Sequence, residues 1–173
     1  MKFVNCCYEI HAAEILEILN QAIVSSTALY DYEPRTIDSM ESWFKAKTTN
    51  DYPVISVVDD NEQIMGFATY STFRAWPAFK YSVEHSVYIH QNHQGKGLGK
   101  VLLEKVIEIA KKQQYHTIIG GIDISNTSSI ALHEKLGFVH AGTIKEAGYK
   151  FGRWLDLGFY QLILNTPEHP VDG

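Results

Sequence analysis

Disulfide chemistry is all but absent from this chain. Its 173 residues include two cysteines, Cys6 and Cys7, and as sequence neighbours they cannot cross-link distant segments in the usual way. A reducing cytoplasm is the expected setting. Long hydrophobic runs are also missing: no stretch approaches the roughly 18 apolar residues of a membrane span, and Met-Lys-Phe-Val-Asn at the start lacks the apolar segment of a signal peptide. A soluble chain with no membrane partner is expected. Positive charge is in deficit, with 15 Lys and Arg against 20 Asp and Glu, a net charge of −5. Phosphate-driven nucleic-acid binding needs a broad basic face, so a general nucleic-acid binder is excluded. Neither repeats nor low-complexity tracts occur.

What remains is ordinary globular material, 45% hydrophobic and 20% charged, in one chain long enough to bury about 70% of its unfolded surface. A single domain over residues 1–164 is expected, with the acidic, proline-containing segment after Asn165 fraying as a tail. Strand candidates are Lys2 to Cys7, Pro53 to Val58, Ile64 to Tyr70, Val83 to His90, Thr117 to Ile124, Phe138 to Thr143 and Trp154 to Leu164. Helical spacing marks His11 to Val24, through Ile15, Leu16, Leu19, Ala22 and Ile23, and a longer helix through Leu98, Val101, Leu102, Val106, Ile109 and Ala110. Asp38 and Glu41 read as a capping box opening a short helix through Met40, Trp43 and Phe44. A further helix runs from Asn126 to Leu136 and ends at Gly137. The order β-α-α-β-β-β-α-β-α-β-β begins with antiparallel hairpins and continues with two strand-helix-strand units. That predicts a mixed α/β fold of about three layers, with helices flanking a central sheet whose later strands pair in parallel.

Gln94-Gly95-Lys96-Gly97-Leu98-Gly99-Lys100 is the most informative stretch. Three glycines let backbone N–H groups turn toward an anion at the start of a helix whose dipole favours negative charge. From Lys96 to Lys112 there are five lysines against Glu104 and Glu108, a local basic spot in an acidic chain. A tight turn that needs glycine for geometry alone is the bland alternative. A P-loop is excluded because no Ser or Thr follows Gly95-Lys96 or Gly99-Lys100, and the dinucleotide fingerprint fails for want of its third glycine.

Gln94, Gly97 and Gly99 between a strand and a helix, then Asn126 opening the next helix and Leu136-Gly137-Phe138 closing it, resemble the acetyl-CoA site of the GNAT N-acetyltransferases. The resemblance covers about residues 3–164. Val83-Glu84-His85-Ser86-Val87-Tyr88-Ile89, Gly121-Ile122-Asp123, the run from Ser129 to Lys135 and the run from Lys150 to Leu157 are similar to the phosphinothricin and methionine sulfoximine acetyltransferase branch. The resemblance implies the GNAT fold, with acetyl-CoA as co-substrate lying between two splayed parallel strands and no metal. Backbone groups of Val87, Tyr88 and Ile89 would meet the pantetheine arm, and Gln94, Gly95, Lys96, Gly97, Leu98, Gly99 and Lys100 the pyrophosphate. An N–H of Val87 or Tyr88 would polarise the thioester carbonyl.

Transfer to an amine needs one proton removed from the incoming ammonium and one given to the departing thiolate. Glu84, two pleats before the cofactor-binding stretch, is the candidate base, directly or through water, against the bland reading of a solvated carboxylate or a Lys80 partner. His85 points to the opposite face of a regular strand and is a weaker candidate. Many GNAT enzymes place a Tyr on the helix after the Asn, where this chain has His133. Asn126 and His133 are seven residues apart and share a helix face, so the resemblance directs both at the cofactor. His133 is either the proton donor or a hydrogen-bonding partner of the pantetheine.

On the substrate side, Phe79 and Tyr81 would form an aromatic wall beside Glu84, with Arg74 or Lys80 holding an acidic group, and Tyr30 and Asp31 would form the other wall. Their alternative is an aromatic plug on the sheet. Arg153 and Trp154 head the last strand, where the resembling enzymes bring subunits together, so a homodimer is expected. His90 and His93 lack the Cys or carboxylate cluster of a metal site. Cys6 and Cys7 are expected to be one buried and one exposed thiol with no histidine ordering them. The expected function is acetyl transfer to the α-amino group of a small amino-acid-like substrate of the phosphinothricin, methionine sulfoximine or methionine sulfone type. The alternatives are a GNAT acting on peptide N-termini or polyamines, or a non-catalytic CoA-binding module.

Overall fold

A computed structural model describes residues 1–172. The elements are β1 (Lys2–Asn5), α1 (Tyr8–Ser25), α2 (Ile37–Thr49), β2 (Val54–Val58), β3 (Ile64–Thr72), β4 (Ser82–Ile89), α3 (Leu98–Lys112), β5 (Thr117–Asp123), α4 (Thr127–Lys135), β6 (Val139–Lys150) and β7 (Arg153–Ile163), with short 3-10 turns at Pro77–Phe79 and Gln91–His93. The order of helices and strands is the one expected. The strands form a seven-stranded sheet in the order β1-β2-β3-β4-β5-β7-β6, flanked by helices. β1, β2 and β3 are antiparallel neighbours, and β4 and β5 form a parallel pair, Ser82↔Thr117 to Glu84↔Ile119. The second strand-helix-strand unit departs from expectation. β7 lies between β5 and β6 and is antiparallel to both, so β5 and β6 are not adjacent.

Backbone proximity groups the chain into two compact units, Met1–Tyr70 with Ser86–Val106, and Ser71–His85 with the chain from Ile107 onward. In the first, Ala12, Ile15, Ile18 and Leu19 of α1 and Met40 and Phe44 of α2 recur at helical steps and bury against Val54, Val58, Ile64 and Phe67 of the β2–β3 hairpin. The hairpin turn is built by Asp59, whose Oδ1 accepts from the N–H of Asn61 (2.8 Å) and of Gln63 (3.0 Å). Gly66 of β3 permits close approach: a Cβ there would stand 2.9 Å from the Tyr88 carbonyl oxygen of β4. The expected capping box does not form. Thr36 is the N-cap residue of α2, without a side-chain cap bond, and Asp38 lies in the first turn, where its charge suits the positive helix end.

In the second unit β6 runs well past the expected Thr143. Its outer half carries Lys145, Glu146 and Gly148 and a register shift between Ile144 and Gly148, after an earlier one between His140 and Gly142, a polar, bulged stretch with no alternating pattern to read. It returns into β7 through Phe151 and Gly152, both at positive φ (52° and 72°), as a two-residue hairpin turn requires. The segment after Asn165, expected to fray, carries hydrogen bonds: His116 Nδ1 donates to the Thr166 carbonyl (2.9 Å), Thr166 Oγ1 donates to the Tyr115 carbonyl, and the Val171 N–H donates to Tyr81 Oη (3.1 Å). Gly173, its last residue, lies outside the described residues. No helix among the described residues is long and apolar enough to cross a membrane.

Lys47 on α2 is 6% exposed. Its ammonium donates to the Tyr70 carbonyl (2.8 Å) and lies 5.2 Å from the Trp43 ring and 5.9 Å from the Tyr52 ring. Burial, with the Arg35 charge second, pulls its pKa down to about 8. Above that pH the folded form sheds a proton that the unfolded chain keeps until about pH 10.4, so stability rises with pH across this window. Compared with Lys47→Met, the wild-type chain is expected to gain about 2 kcal/mol of urea-unfolding stability between pH 8 and 10. Parallel profiles would show that Lys47 is not desolvated.

Candidate active site

The second unit gathers most of the expected chemistry around β4 and β5. Adjacent β4 residues alternate sides, and each finds a glycine on β5. A Cβ at Gly121 would stand 3.0 Å from Glu84 Oε1, and one at Gly120 would stand 2.8 Å from His85 Nε2 and 3.2 Å from His133 Nε2. Glu84 is half-buried. That burial raises its carboxyl above the ordinary range, and the Arg74 charge pulls it partly back. Arg74 is on the exposed loop before β4, held by a bond from its guanidinium to the Phe73 carbonyl (2.9 Å) and by stacking over the Phe73 ring at 4.2 Å. Phe79 meets Phe73 edge-on at 6.3 Å, and Phe73 meets Phe159 at the same distance. Of the expected substrate residues, Arg74 thus has an electrostatic link to Glu84, whereas the Tyr81 hydroxyl is engaged by the Val171 backbone.

His85 and His133 form a pair that sequence reading did not anticipate. They are 8% and 4% exposed, their rings stack at 4.9 Å with 22° between planes, and Phe138 caps both edge-on. His133 Nδ1 is 2.6 Å from the Ser129 carbonyl oxygen. A carbonyl only accepts, so Nδ1 carries the hydrogen and His133 Nε2 is the acceptor in the neutral ring. His85 Nε2, 3.0 Å away, is then the donor, which leaves His85 Nδ1 as a buried acceptor with no hydrogen-bond partner among the described residues. Burial is the main force lowering both pKa values. For His85 the neighbouring His133 adds to it, and for His133 the Ser129 bond opposes it. The signal in the sequence was the Gly120-Gly121 doublet inside a strand, which marks close approach of neighbouring groups.

Asn126 caps α4, its Oδ1 accepting from the Ser129 N–H (3.1 Å) and the Ser128 hydroxyl (3.0 Å). Arg153, at the head of β7, turns inward to Asp123 Oδ2 (2.7 Å) and Ser125 Oγ (2.9 Å), while Trp154 is exposed.

The first unit holds the glycine loop. Gly95 and Gly97 have φ of +73° and +77°, and a Cβ at either would meet nothing within 4 Å. They are glycine for backbone conformation, with open space beside them. Gln94, Lys96 and Lys100 are exposed and Leu98 is buried. Lys96 Nζ donates to His93 Nδ1 (3.2 Å) and Lys100 pairs with Glu104 (3.5 Å). At the end of β4, Val87, Tyr88 and Ile89 are half-buried, with the Tyr88 ring 5.5 Å from Phe67. His90 contacts Glu17 (3.4 Å) and Gln21 (3.3 Å). Tyr30 is exposed and Asp31 pairs with Arg35 (2.8 Å). Both cysteines are half-buried thiols rather than one buried and one exposed. Cys6 bonds Ser56 Oγ (2.9 Å) and burial pushes its pKa to about 11. His11 does accompany Cys7, accepting from its N–H at 3.1 Å. No group of three or more His, Cys, Asp and Glu among the described residues is arranged to hold a metal.

Below about pH 6.5 unfolded histidines take protons that the buried pair excludes. Stability is therefore full above that pH and declines as the pH falls toward the lowered folded values. A His85→Leu, His133→Leu double variant is expected to lose less stability than wild type between pH 7 and 5, by at least about 2 kcal/mol in urea unfolding, the share of His85 alone. An equal loss would show that the folded pair is protonated.

Residues 14–138 match the acetyltransferase (GNAT) family model. The chain is 40% identical over 158 residues to L-amino acid N-acyltransferase MnaT of Escherichia coli, covering 91% of each. It is also 40% identical to the L-methionine sulfoximine/L-methionine sulfone acetyltransferase of Salmonella typhimurium, covering 91% of this chain and 92% of that one. Among solved structures, a GNAT superfamily phosphinothricin acetyltransferase from Sinorhizobium meliloti in complex with acetyl-CoA superimposes with a TM-score of 0.93 at 31% identity, over 98% of this chain and 91% of that one. The chain belongs to the GNAT acetyltransferase family.

Proposed function

We propose that this chain is an acetyl-CoA-dependent N-acetyltransferase acting on the α-amino group of a small amino-acid-like substrate of the methionine sulfoximine, methionine sulfone or phosphinothricin type, by direct attack on the thioester. The carrying observation is Glu84: a half-buried carboxyl raised above its ordinary range, with Arg74 as a nearby cation. A raised carboxylate is a better match to an ammonium than a solvated one. Glu84 takes the ammonium proton directly or through a water, Arg74 holds the substrate's acidic group, and Phe79 packs against its side chain.

Acetyl-CoA supplies the acetyl group as an activated thioester. The glycine loop fits an anionic ligand because the side-chain positions of Gly95 and Gly97 open onto free space, and the α3 N-terminus follows directly. In this reading the N–H groups of Gly95 to Lys100 hold the pyrophosphate, with Gln94, Lys96 and Lys100 beside them. The backbone of Val87, Tyr88 and Ile89 meets the pantetheine arm, and Asn126 contributes its amide nitrogen. The proton-donor role expected of His133 has little support in this geometry: both ring nitrogens are engaged and burial favours the neutral form. His133 enters instead as a positioning residue that seats α4 on β4.

The family match spans residues of both compact units, which supports reading 1–164 as one catalytic domain. Two thiols without a disulfide suit a cytoplasmic setting. Exposed Ile144, Tyr149, Phe151 and Trp154 on the β6–β7 hairpin support a homodimer. Sedimentation equilibrium is expected to give twice the chain mass, and a monomer at micromolar concentration would refute it.

A thiol-release assay with acetyl-CoA tests the activity against free amino acids, their oxidised-sulfur analogues, peptides and polyamines. Methionine sulfone and sulfoximine are expected to accelerate CoA release most. If CoA binds but no amine accelerates release, the enzyme reading fails. Glu84→Gln is expected to lower kcat by about a hundredfold and to flatten the rise of kcat/KM with pH. An unchanged profile would remove Glu84 from the base role.

A further inference from the structure

Tyr81 sits at a junction of three segments of the second unit. Its carbonyl accepts from the N–H groups of His116 (2.8 Å) and Thr117 (3.1 Å) at the start of β5. Its hydroxyl is held by both backbone groups of Val171, receiving from the N–H at 3.1 Å and donating to the carbonyl at 3.3 Å. The chain end that reaches it is itself fastened upstream: the Leu164 N–H donates to the His116 carbonyl (2.7 Å), His116 Nδ1 donates to the Thr166 carbonyl (2.9 Å), and Thr166 Oγ1 donates to the Tyr115 carbonyl. Between the two fastenings, Pro167 and Pro170 restrict the backbone, so little freedom remains to be lost in holding Val171 on Tyr81. On its other side Tyr81 borders the loop that carries Arg74. Lys80 lies over the Tyr81 ring at 5.2 Å, the Phe73 N–H donates to the Ser82 carbonyl across the loop's base (3.4 Å), and Phe73 and Phe79 close its interior.

We propose that the C-terminal segment 165–172 is a strap that positions the 73–80 loop through Tyr81, and that Tyr81 is a positioning residue for the acceptor side of the site rather than a substrate contact. A loop tied at its base by one backbone bond has few other restraints on its exposed tip. Fixing Tyr81 from both sides sets where the loop re-enters β4, three residues before Glu84, and so sets the placement of Arg74 relative to that carboxyl. The strap therefore acts on acceptor recognition and leaves the cofactor loop untouched. The kinetic part of this inference rests on the acetyltransferase reading, whereas the structural part does not.

Two variants separate these parts: Tyr81→Phe, which keeps the ring and removes the hydroxyl, and a chain ending at Asn165. The first readout is tryptic cleavage of the native chains after Arg74 and after Lys80, followed by mass spectrometry. Both variants are expected to be cut about fivefold faster at these bonds than wild type, with cleavage elsewhere and the urea midpoint of Tyr81→Phe unchanged. The second readout is steady-state kinetics with L-methionine sulfone, where the acceptor KM is expected to rise about fivefold in Tyr81→Phe while the KM for acetyl-CoA stays constant. Unchanged cleavage in both variants overturns the strap. Faster cleavage with an unchanged acceptor KM, or a parallel rise in both KM values, overturns its role in acceptor recognition. A wild-type chain that transfers acetyl to nothing refutes the proposed function and leaves the cleavage result to decide the strap alone.

Discussion

Room on β5 is the constraint on which the second unit depends. Neighbouring strands in a sheet are less than 5 Å apart, and a large side chain on one strand needs the other to yield space. Gly120 and Gly121 yield it on both faces: the first to the paired imidazoles of His85 and His133, the second to the carboxylate of Glu84. Neither glycine adopts a left-handed backbone, so the chain uses them for missing volume rather than for conformational freedom. From that pair of absent side chains follow the depth at which Glu84 sits, the burial that raises its pKa, and the seat of α4.

Glu84 and His85 are adjacent in sequence and opposite in electrostatic consequence. Burial disfavours whichever form is charged. It therefore raises the carboxyl, making Glu84 a stronger base, and lowers the imidazoles, favouring the neutral forms of His85 and His133. One strand thus presents a half-buried carboxyl of raised pKa on one side and a packed hydrogen-bonded imidazole pair on the other. The division of labour comes from strand parity and local packing, with no need for a separate structural device.

Much of this architecture was legible before the structure. The order of helices and strands follows from hydrophobic period, and the glycine loop from its Gly and Lys spacing. The placement of Glu84 and His85 on opposite faces follows from the pleat alone. The rest lay in long-range contacts. His85 meets His133 across 48 residues of sequence, and nothing local to either announces the pairing. Asp38 and Glu41 match a capping motif, but α2 starts at Ile37 with Thr36 as its N-cap and no side-chain cap bond, so both motif residues lie inside the helix and the box is not used. β6 was cut short because its outer half owes its strand state to pairing with β7, and tertiary pairing overrides weak intrinsic preference. The aromatic character of Tyr81 is visible in sequence, whereas the fastening of its hydroxyl by a backbone 90 residues away is not.

Lys47 gives the first unit an unplanned optical property. Of the three tryptophans, Trp76 and Trp154 are exposed and Trp43 is half-buried; Trp43 is the indole with an ammonium 5.2 Å from its ring. A cation held beside an indole perturbs its excited state, and this cation discharges near pH 8. The fluorescence of Trp43, shielded in part from aqueous quenchers, is therefore expected to change as that single buried amine loses its proton, which would give the chain its own indicator for the integrity of that core.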